Sequence, residues 1–451
     1  MLDRTAVVWT RATGGPRKLG VLQRTDDRLS FTYEADAVDL PGISVMHDVD
    51  QVGRAPQAWV ATDDNPLPPM FQALVPPLDP DNLQRRLLSR ALEIQRGPVD
   101  EDLDWELLLL GGRNSIGHLD IFRDDATASD WYDRDRQPQV TDLSKSPLWR
   151  LAAEASLPTP DPAALDAIIE MVGTLPTVGG AMPKVLLSIT PPGSNQVVEA
   201  LVKIQSNKHE DVLLLEDIGY RMCERVGLPT PRRWLAKSDG VTVLATERFD
   251  RVDGLPVPME SLFSAMYVAT DGEMSSRWSD ARTTPNFEMV GDFLRDPKSL
   301  ATSDPDSDAK SMLKRVVLNA LTGNSDQHLE NFAFLGERSH SRLSPVYDPA
   351  LTRGYASLQC VSVVSFGGLV TMTKGENAGI GHGLLSLHSA YGLARTVMLD
   401  LADECLEATR DFPDAVLASG AKDHIVRRLI ARVAGTRYRV ETALRELVKS
   451  G

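Results

Sequence analysis

The chain has 451 residues, which is too long for one hydrophobic core, so two or three domains are expected. Its 42% hydrophobic and 25% charged residues are ordinary for a globular protein, but a formal net charge of −15 argues against unaided DNA binding by a broad basic surface. Three widely spaced cysteines argue against a disulfide framework and against a zinc site. The apolar runs are too short to span a bilayer and the N-terminus lacks a secretory pattern, so we expect a cytoplasmic protein without membrane contact.

The first part of the chain predicts an α+β subdomain over residues 1–125. Leucines at helical spacing predict an amphipathic helix over 81–95, and "ELLLLGG" ends a second helix before the strand "GHLDIF". Residues 126–165 are polar and contain prolines, so they are interpreted as a linker or surface crossing. Short strands between turn residues, typical of a small antiparallel sheet, are predicted at 5–9, 18–24 and 29–33.

The rest of the chain predicts two further regions. Residues 166–250 combine strands with a helix that stops at Gly227, which indicates a second α+β unit. Residues 251–451 are predicted to be mainly helical, with Ser307 or Asp308 as the N-cap of one long helix. The strands of the second unit are predicted at 185–189, 197–204 and 241–246.

A glycine-rich turn and a strand lysine suggest contacts with phosphates. "TVGGAMPK" (177–184) leads into a strand, and glycines allow backbone N–H groups to approach an anion, although such a turn is often purely structural. Lys203 interrupts an apolar strand pattern, so it is either an edge-strand lysine or a residue that reaches nucleotide phosphates. Glu216 on the following helix is a possible partner for Lys203.

The stretch "GNSDQHLEN" carries the most specific signal. Asp326 and Asn331 stand five residues apart, in the spacing of a base that accepts a hydroxyl proton and an amide that binds Mg²⁺. The alternative is a hydrogen-bonded loop that caps a helix ending at Gly323. "SPVYDPAL" then supplies Asp348, a second oxygen ligand suited to Mg²⁺. The polar residues between "LTGN" and "FAFL" are expected to be exposed.

The order of these elements, from glycine loop to strand lysine, helical glutamate, D-x-x-x-x-N and aspartate, is that of a protein-kinase-like phosphotransferase. The chain resembles the HipA family of bacterial serine/threonine kinases, the toxins of type II toxin–antitoxin modules, over nearly its whole length. The resemblance is carried by "VVWTR…KLGVLQR…LSFTY", "GGAMPK", "ALVKI", "ERFDR", "GNSDQHLENFAFL" and "LSPVYDPAL".

The resemblance implies a fold class of α+β: a two-lobe kinase-like fold with an added N-terminal α+β subdomain and an all-helical C-terminal lobe. It implies Asp326 as catalytic base and Asn331 and Asp348 as Mg²⁺ ligands, with ATP as the nucleotide. It places Thr177 where the family has an autophosphorylated serine. The residues expected to bind the nucleotide are Gly179, Gly180, Ala181, Lys184, Lys203, Glu247, Phe249 and His328.

The resemblance also implies partners: a protein substrate such as an aminoacyl-tRNA synthetase, and a small helix-turn-helix antitoxin (HipB-like) through which DNA is contacted indirectly. Two positions depart from the family pattern, with Thr177 in place of serine and Glu330 in place of lysine. They motivate an alternative, a degenerate nucleotide-binding module that acts through partner binding. A small-molecule kinase with the same chemistry is a third hypothesis.

Overall fold

The structure is a computed structural model. It describes residues 3–25, 28–47, 49–52, 55–61, 66–79, 81–97, 102–134, 139–173, 176–180, 182–205, 209–270, 285–299, 301–338, 340–356, 360–367 and 379–449. The chain divides into two compact units: unit 1 comprises Met1–Lys208 and Arg232–Glu260, and unit 2 comprises His209–Pro231 and Ser261–Gly451. The domain boundaries expected from the sequence stay predictions. Of the helices in the described ranges, none is long and apolar enough to cross a membrane.

Unit 1 contains two five-stranded sheets and a smaller two-stranded sheet. Its strands are β1 (Asp3–Thr10), β2 (Arg17–Thr25), β3 (Arg28–Tyr33), β4 (Gln57–Val60), β5 (Leu119–Phe122), β6 (Val140–Asp142), β7 (Lys184–Thr190), β8 (Val198–Ile204), β9 (Arg233–Ser238), β10 (Val241–Glu247), β11 (Arg251–Val252) and β12 (Leu255–Pro256), with β13 at Met259–Ser261. One sheet has the order β4-β3-β2-β1-β5 and the other β6-β7-β8-β10-β9. The pairs are antiparallel except β6 with β7. The strands predicted from the sequence in this unit are confirmed.

Unit 1 has helices packed against both of its five-stranded sheets. They are α1 (Val49–Val52), α2 (Pro69–Gln72), α3 (Leu83–Arg96), α4 (Leu103–Gly111), α5 (Asp125–Asp133), α6 (Leu148–Ala155) and α7 (Pro162–Val172). Apolar residues of α3, α6 and α7 share one core with those of β7, β8 and β10. The linker interpretation of 126–165 is wrong, because this segment folds into α6 and adds β6 to the sheet. Although the segment is polar on average, Leu148, Trp149, Ala152 and Ala155 have helical spacing and are fully buried.

Unit 2 is mainly helical, as predicted. Its helices are α8 (Val212–Arg225), α9 (Leu262–Ala269), α10 (Phe287–Arg295), α11 (Pro305–Thr322), α12 (Ile380–Ser386), α13 (Arg395–Ala408), α14 (Phe412–Leu417) and α15 (Asp423–Lys449), and its hairpin joins β14 (Ala333–Leu335) to β15 (Arg342–Leu343). Helix α11 packs against α8, α13 and α15. This central helix positions the segment that follows it, which includes Asp326.

Helix α11 begins earlier than predicted. Asp304 is the N-cap, and its side chain accepts a hydrogen bond from the Ser307 N–H, while Pro305 occupies the first turn, where its missing N–H costs nothing. Asp308 lies inside the helix and is buried against Arg342. The prediction of Ser307 or Asp308 as N-cap is therefore wrong, because the proline extends the helix toward the N-terminus.

Candidate functional site

The segment after α11 alternates buried and exposed side chains. Gly323 ends the helix in the left-handed conformation with φ 83°, as the sequence predicts. Asn324, Ser325 and Gln327 are buried, whereas 43% of the Asp326 side chain is exposed. The expectation that the polar residues between "LTGN" and "FAFL" are exposed is thus wrong for Ser325 and Gln327. Buried polar side chains hold the backbone while Asp326 points toward solvent.

Asn331 and Asp326, five residues apart in sequence, are joined by a hydrogen bond. The Asn331 Nδ2 group donates to the Asp326 backbone carbonyl over 2.6 Å. The short 3-10 turn Leu329–Asn331 makes this contact possible. Because the amide nitrogen is the donor, the Asn331 Oδ1 atom is the one that can coordinate a cation.

His328 lies between two carboxylates. Its Nε2 atom is 3.9 Å from Asp326 Oδ1, and its Nδ1 atom is 3.8 Å from Glu330 Oε2. The Glu330 backbone carbonyl accepts a hydrogen bond of 2.6 Å from the hydroxyl of Tyr347, a partly buried residue. The acidic side chain that replaces the family lysine therefore has an imidazole beside it, and its backbone is anchored to the segment that carries Asp348.

Asp348 has an unusual backbone. Its φ is 55°, in the left-handed region that few non-glycine residues adopt. The Asp348 N–H donates to the Tyr220 hydroxyl of α8 over 3.3 Å. One residue earlier in α8, a Cβ added to Gly219 would lie 2.1 Å from the Pro349 carbonyl oxygen. The close approach of α8, which only glycine permits, supports the strained conformation of Asp348.

A small cavity of about 10 Å³ connects these elements. This volume matches a single water molecule or ion. Both candidate Mg²⁺ ligands line the cavity, and an amide oxygen with a carboxylate is a donor set that suits Mg²⁺, which retains several waters. Groups of three or more His, Cys, Asp or Glu side chains suited to a metal do not occur among the described residues. The cavity is lined by Cys223, Arg315, Asn319, Asn324, Gln327, Asn331, Phe332, Val346, Tyr347, Asp348 and Pro349.

Glu216 belongs to the same part of unit 2. It is buried in α8, one turn before Tyr220. Burial raises the pKa of the Tyr220 hydroxyl well above its ordinary value, and the negative charges of Glu216 and Asp348 raise it further. Tyr220 therefore stays neutral and keeps its hydroxyl as a hydrogen-bonding group. The predicted pairing of Glu216 with Lys203, which lies in unit 1, stays a prediction.

The glycine loop of unit 1 folds over a lysine. Gly180 has φ 104°, and a Cβ added there would lie 2.2 Å from Lys184 Nζ. The Gly180 carbonyl accepts a hydrogen bond of 3.1 Å from the side chain of Asn82, the N-cap of α3. Space is open around the Cα of Gly179. Ala181 lies outside the described residues.

Lys184 and Lys203 are direct partners in the β7–β8 pair. Directly paired residues project from the same face of an antiparallel sheet, so both ammonium groups leave the sheet on one side. Both side chains are buried. Two ammonium groups on one face can donate charge-assisted hydrogen bonds to an anion bound beside the glycine loop. The edge-strand alternative for Lys203 is wrong, because β8 lies between β7 and β10.

Thr177 is completely buried at the start of the glycine loop. Its hydroxyl donates to the backbone carbonyls of Leu74 and Gly111, and its own carbonyl accepts from the Ser115 hydroxyl. The next residue is fixed as well, since the Val178 N–H donates to a glutamine side chain of α3 over 3.1 Å. In this conformation the Thr177 hydroxyl holds the loop in place through its hydrogen bonds. Phosphorylation of Thr177 therefore requires the glycine loop to move away from these contacts.

The segment "ERFDR" begins at the end of β10. Glu247 forms a two-bond ion pair with Arg232, in which Arg232 Nε donates to Glu247 Oε2 over 2.5 Å. Phe249 is half-buried. The Glu247 carboxylate is thus engaged by Arg232, so an adenine contact at this residue would use the backbone. The roles of both residues at the nucleotide stay predictions.

The remaining charges of "ERFDR" form a buried network. Asp250 accepts hydrogen bonds from Arg248 and Arg251 and from the Gly117 N–H. Burial alone would raise the pKa of Asp250, but the charges of the two arginines outweigh burial and hold this pKa below its ordinary value. Arg248 also donates to the backbone carbonyls of Asn114 and Ser115. The network therefore fixes the loop that in turn holds Thr177.

Several supporting residues were not identified from the sequence. Asn82 and Ser115 stabilise the glycine loop, and Gly219 and Tyr220 stabilise Asp348. The sequence offered a signal for one of them: "IGYR" places a glycine inside an otherwise good helix, where glycine is unfavourable unless close packing requires it. The other contacts join residues far apart in sequence, which local patterns do not reveal.

Family models and similar proteins both relate this chain to HipA proteins and to putative kinases. The model of the HipA N-terminal domain matches residues 10–122, and that of the HipA-like C-terminal domain matches residues 177–412. The chain is similar to "Putative kinase Y4mE" of Sinorhizobium fredii, at 23% identity over 305 residues, which is 61% of this chain and 70% of that protein. It is also similar to "Putative kinase Y4dM" of the same organism, at 24% identity over 223 residues, or 47% of this chain and half of the relative.

One solved structure matches nearly the whole chain. It is described as "Shewanella oneidensis MR-1 Toxin Antitoxin System HipA, HipB and its operator DNA complex", and it aligns with a TM-score of 0.60 and 14% identity over 97% of both chains. At this identity the likeness establishes the fold alone. The predicted α+β fold class is confirmed.

Proposed function

Because the chain belongs to the HipA family, we propose that it is an ATP- and Mg²⁺-dependent protein serine/threonine kinase that acts as the toxin of a toxin–antitoxin module. The observation that carries the proposal is the arrangement in unit 2. The Asn331 side chain is hydrogen-bonded to the backbone carbonyl of Asp326, and both Asn331 and Asp348 line one cavity. This arrangement provides a base and two oxygen ligands of the kind that phosphoryl transfer requires.

The roles follow from the chemistry of each group. Asp326 orients the hydroxyl of the substrate and accepts its proton as the oxygen attacks the γ-phosphorus and ADP leaves. Asn331 Oδ1 and the Asp348 carboxylate would hold Mg²⁺, which neutralises charge on the phosphates when it is bound. Lys184, Lys203 and the amides of the glycine loop would bind the phosphate oxygens.

Glu330 does not argue against activity. A carboxylate beside a metal ligand would repel phosphates if it faced them. Its Oε2 atom instead lies 3.8 Å from His328, which gives the side chain another neighbour.

Partners and target are proposed from the relatives. The solved HipA structure contains HipB and operator DNA, and on that basis we propose a small helix-turn-helix antitoxin as partner. The net charge of −15 supports DNA contact through the antitoxin. We further propose a cytoplasmic location and a translation factor, such as an aminoacyl-tRNA synthetase, as substrate.

The test is transfer of labelled γ-phosphate from ATP to proteins of a bacterial lysate. The wild-type chain should transfer label in the presence of Mg²⁺, and Asp326→Asn should lose the transfer by roughly 10²-fold or more. Asp403→Asn, an exposed change on α13, is the matched control and should behave as wild type. ATP binding without transfer to any protein would support the degenerate-module alternative instead.

A further inference from the structure

Asn324 makes hydrogen bonds to both parts of the candidate site. Its Oδ1 atom accepts from the Asp326 N–H over 3.1 Å. Its Nδ2 group makes longer contacts with the Asp348 carbonyl oxygen, at 3.5 Å, and with Asn319 Oδ1, at 3.4 Å. The side chain is buried. One amide thus spans the distance between the base segment and the segment that carries a metal ligand.

The orientation of this amide is determined by its neighbours. One neighbour is an N–H donor and two are oxygen acceptors, so rotating the amide by 180° would bring oxygen against oxygen and N–H against N–H. Asn319 is oriented in turn, because its Nδ2 group donates to Gln327 Oε1 over 3.1 Å. The backbone N–H of Asn324 donates to the Asn319 carbonyl over 3.0 Å, which ties the residue to the end of α11.

We propose that Asn324 is a positioning residue that fixes Asp326 and Asp348 relative to each other, with Asn319 and Gln327 holding its amide in register. The proposal deepens the kinase proposal and rests on it for its effect on catalysis. The positioning itself is a property of the chain, so it can be measured without turnover. Residues that orient metal ligands affect metal affinity nearly as strongly as some ligands do.

Two substitutions separate the contacts of this amide. Asn324→Ala removes all of them, and loss of a typical net hydrogen bond should speed amide hydrogen exchange by roughly 2- to 10-fold. The increase is expected in peptides covering both 324–331 and 344–350. The isosteric Asn324→Asp keeps the acceptor for the Asp326 N–H but sets a carboxylate oxygen against the Asp348 carbonyl. It should therefore speed exchange in 344–350 and leave the Asp326 amide protected.

Thr322→Val is the matched control. The Thr322 hydroxyl is buried, belongs to a residue two positions before Asn324, and donates only to the Leu318 carbonyl of its own helix, over 2.8 Å. This variant should leave exchange in both peptides at the wild-type rate. Should Asn324→Ala fail to fold, Asn324→Asp and Asn324→Ser, which retain an acceptor, carry the test.

The second measurement is the Mg²⁺ dependence of phosphate transfer. In Asn324→Ala the half-saturating Mg²⁺ concentration should rise about 10- to 100-fold, and Thr322→Val should show the wild-type value. Unchanged exchange in 344–350 for both Asn324 variants would overturn the proposal, as would an equal increase in Thr322→Val. A wild-type chain without transfer would refute the kinase proposal and leave the exchange result to decide on Asn324.

Discussion

Removal of the Asp250 carboxylate is expected to destabilise unit 1 strongly. Asp250 is buried between Arg248 and Arg251, whose side chains are equally shielded from water. In Asp250→Ala both guanidinium groups lose the Asp250 carboxylate and retain only the more distant Glu199, at 3.7 Å from Arg248 and 3.6 Å from Arg251. Breaking a buried ion pair costs about 3–5 kcal/mol. For a unit of this length that loss lowers the melting temperature by roughly 6–20 °C.

The same substitution should weaken nucleotide binding indirectly. The Asp250 network holds the backbone of Ser115 through Arg248, and the Ser115 hydroxyl holds the carbonyl of Thr177 in the glycine loop. We therefore expect both a lower melting temperature and weaker ATP binding. Asp166→Ala, which breaks the exposed ion pair with Arg90, is the control and should change neither.

Thermal unfolding followed by circular dichroism over a range of pH values is the assay. The folded-state pKa of Asp250 is depressed, so its contribution is present above the unfolded pKa of about 3.9 and is lost as pH falls through the folded value. The stability difference between wild type and Asp250→Ala should therefore shrink below about pH 4. A variant that melts at the wild-type temperature at pH 7 would refute the assignment of the network as a structural support.

Two further substitutions test the candidate site. Lys203→Met removes a buried lysine that is the direct strand partner of Lys184, so it should weaken ATP binding about 10- to 100-fold, as loss of a charged hydrogen bond predicts. Titration calorimetry should show no such loss for the exposed Lys237→Met. Equal ATP affinity for both variants would contradict the role of Lys203. Gly219→Ala places a Cβ 2.1 Å from the Pro349 carbonyl. It should lower the free energy of unfolding, measured in urea, by about 1–3 kcal/mol and reduce Mg²⁺-dependent transfer. The control Gly435→Ala, with its nearest contact at 3.4 Å, should be neutral or stabilising, and an equally neutral Gly219→Ala would show that the close approach is not required.

Local patterns predicted much of the fold because they depend on short-range periodicity. The strand over 29–33 alternates buried and partly exposed residues, and Gly323 ends α11 where a left-handed residue is needed. The linker interpretation failed because the average polarity of 126–165 concealed four buried residues of α6. Composition averaged over a long segment hides a narrow apolar face.

The candidate site was only partly predictable, for a physical reason. Asp326, Asn331 and Asp348 carry the chemistry, and their spacing is visible in the sequence. The residues that hold them act through contacts between distant segments, as Tyr220 does on the Asp348 backbone. Asn324 lies in the same stretch "GNSDQHLEN", but its role follows only from its hydrogen-bond partners in the fold.

The most direct test of the central claim is site-resolved mass spectrometry of proteins incubated with the chain, ATP and Mg²⁺. The account predicts phosphate on serine or threonine side chains of at least one protein in the wild-type reaction, and none above background with Asp326→Asn. A wild-type chain that binds ATP but leaves every serine and threonine unmodified, or an Asp326→Asn variant as active as wild type, would contradict it.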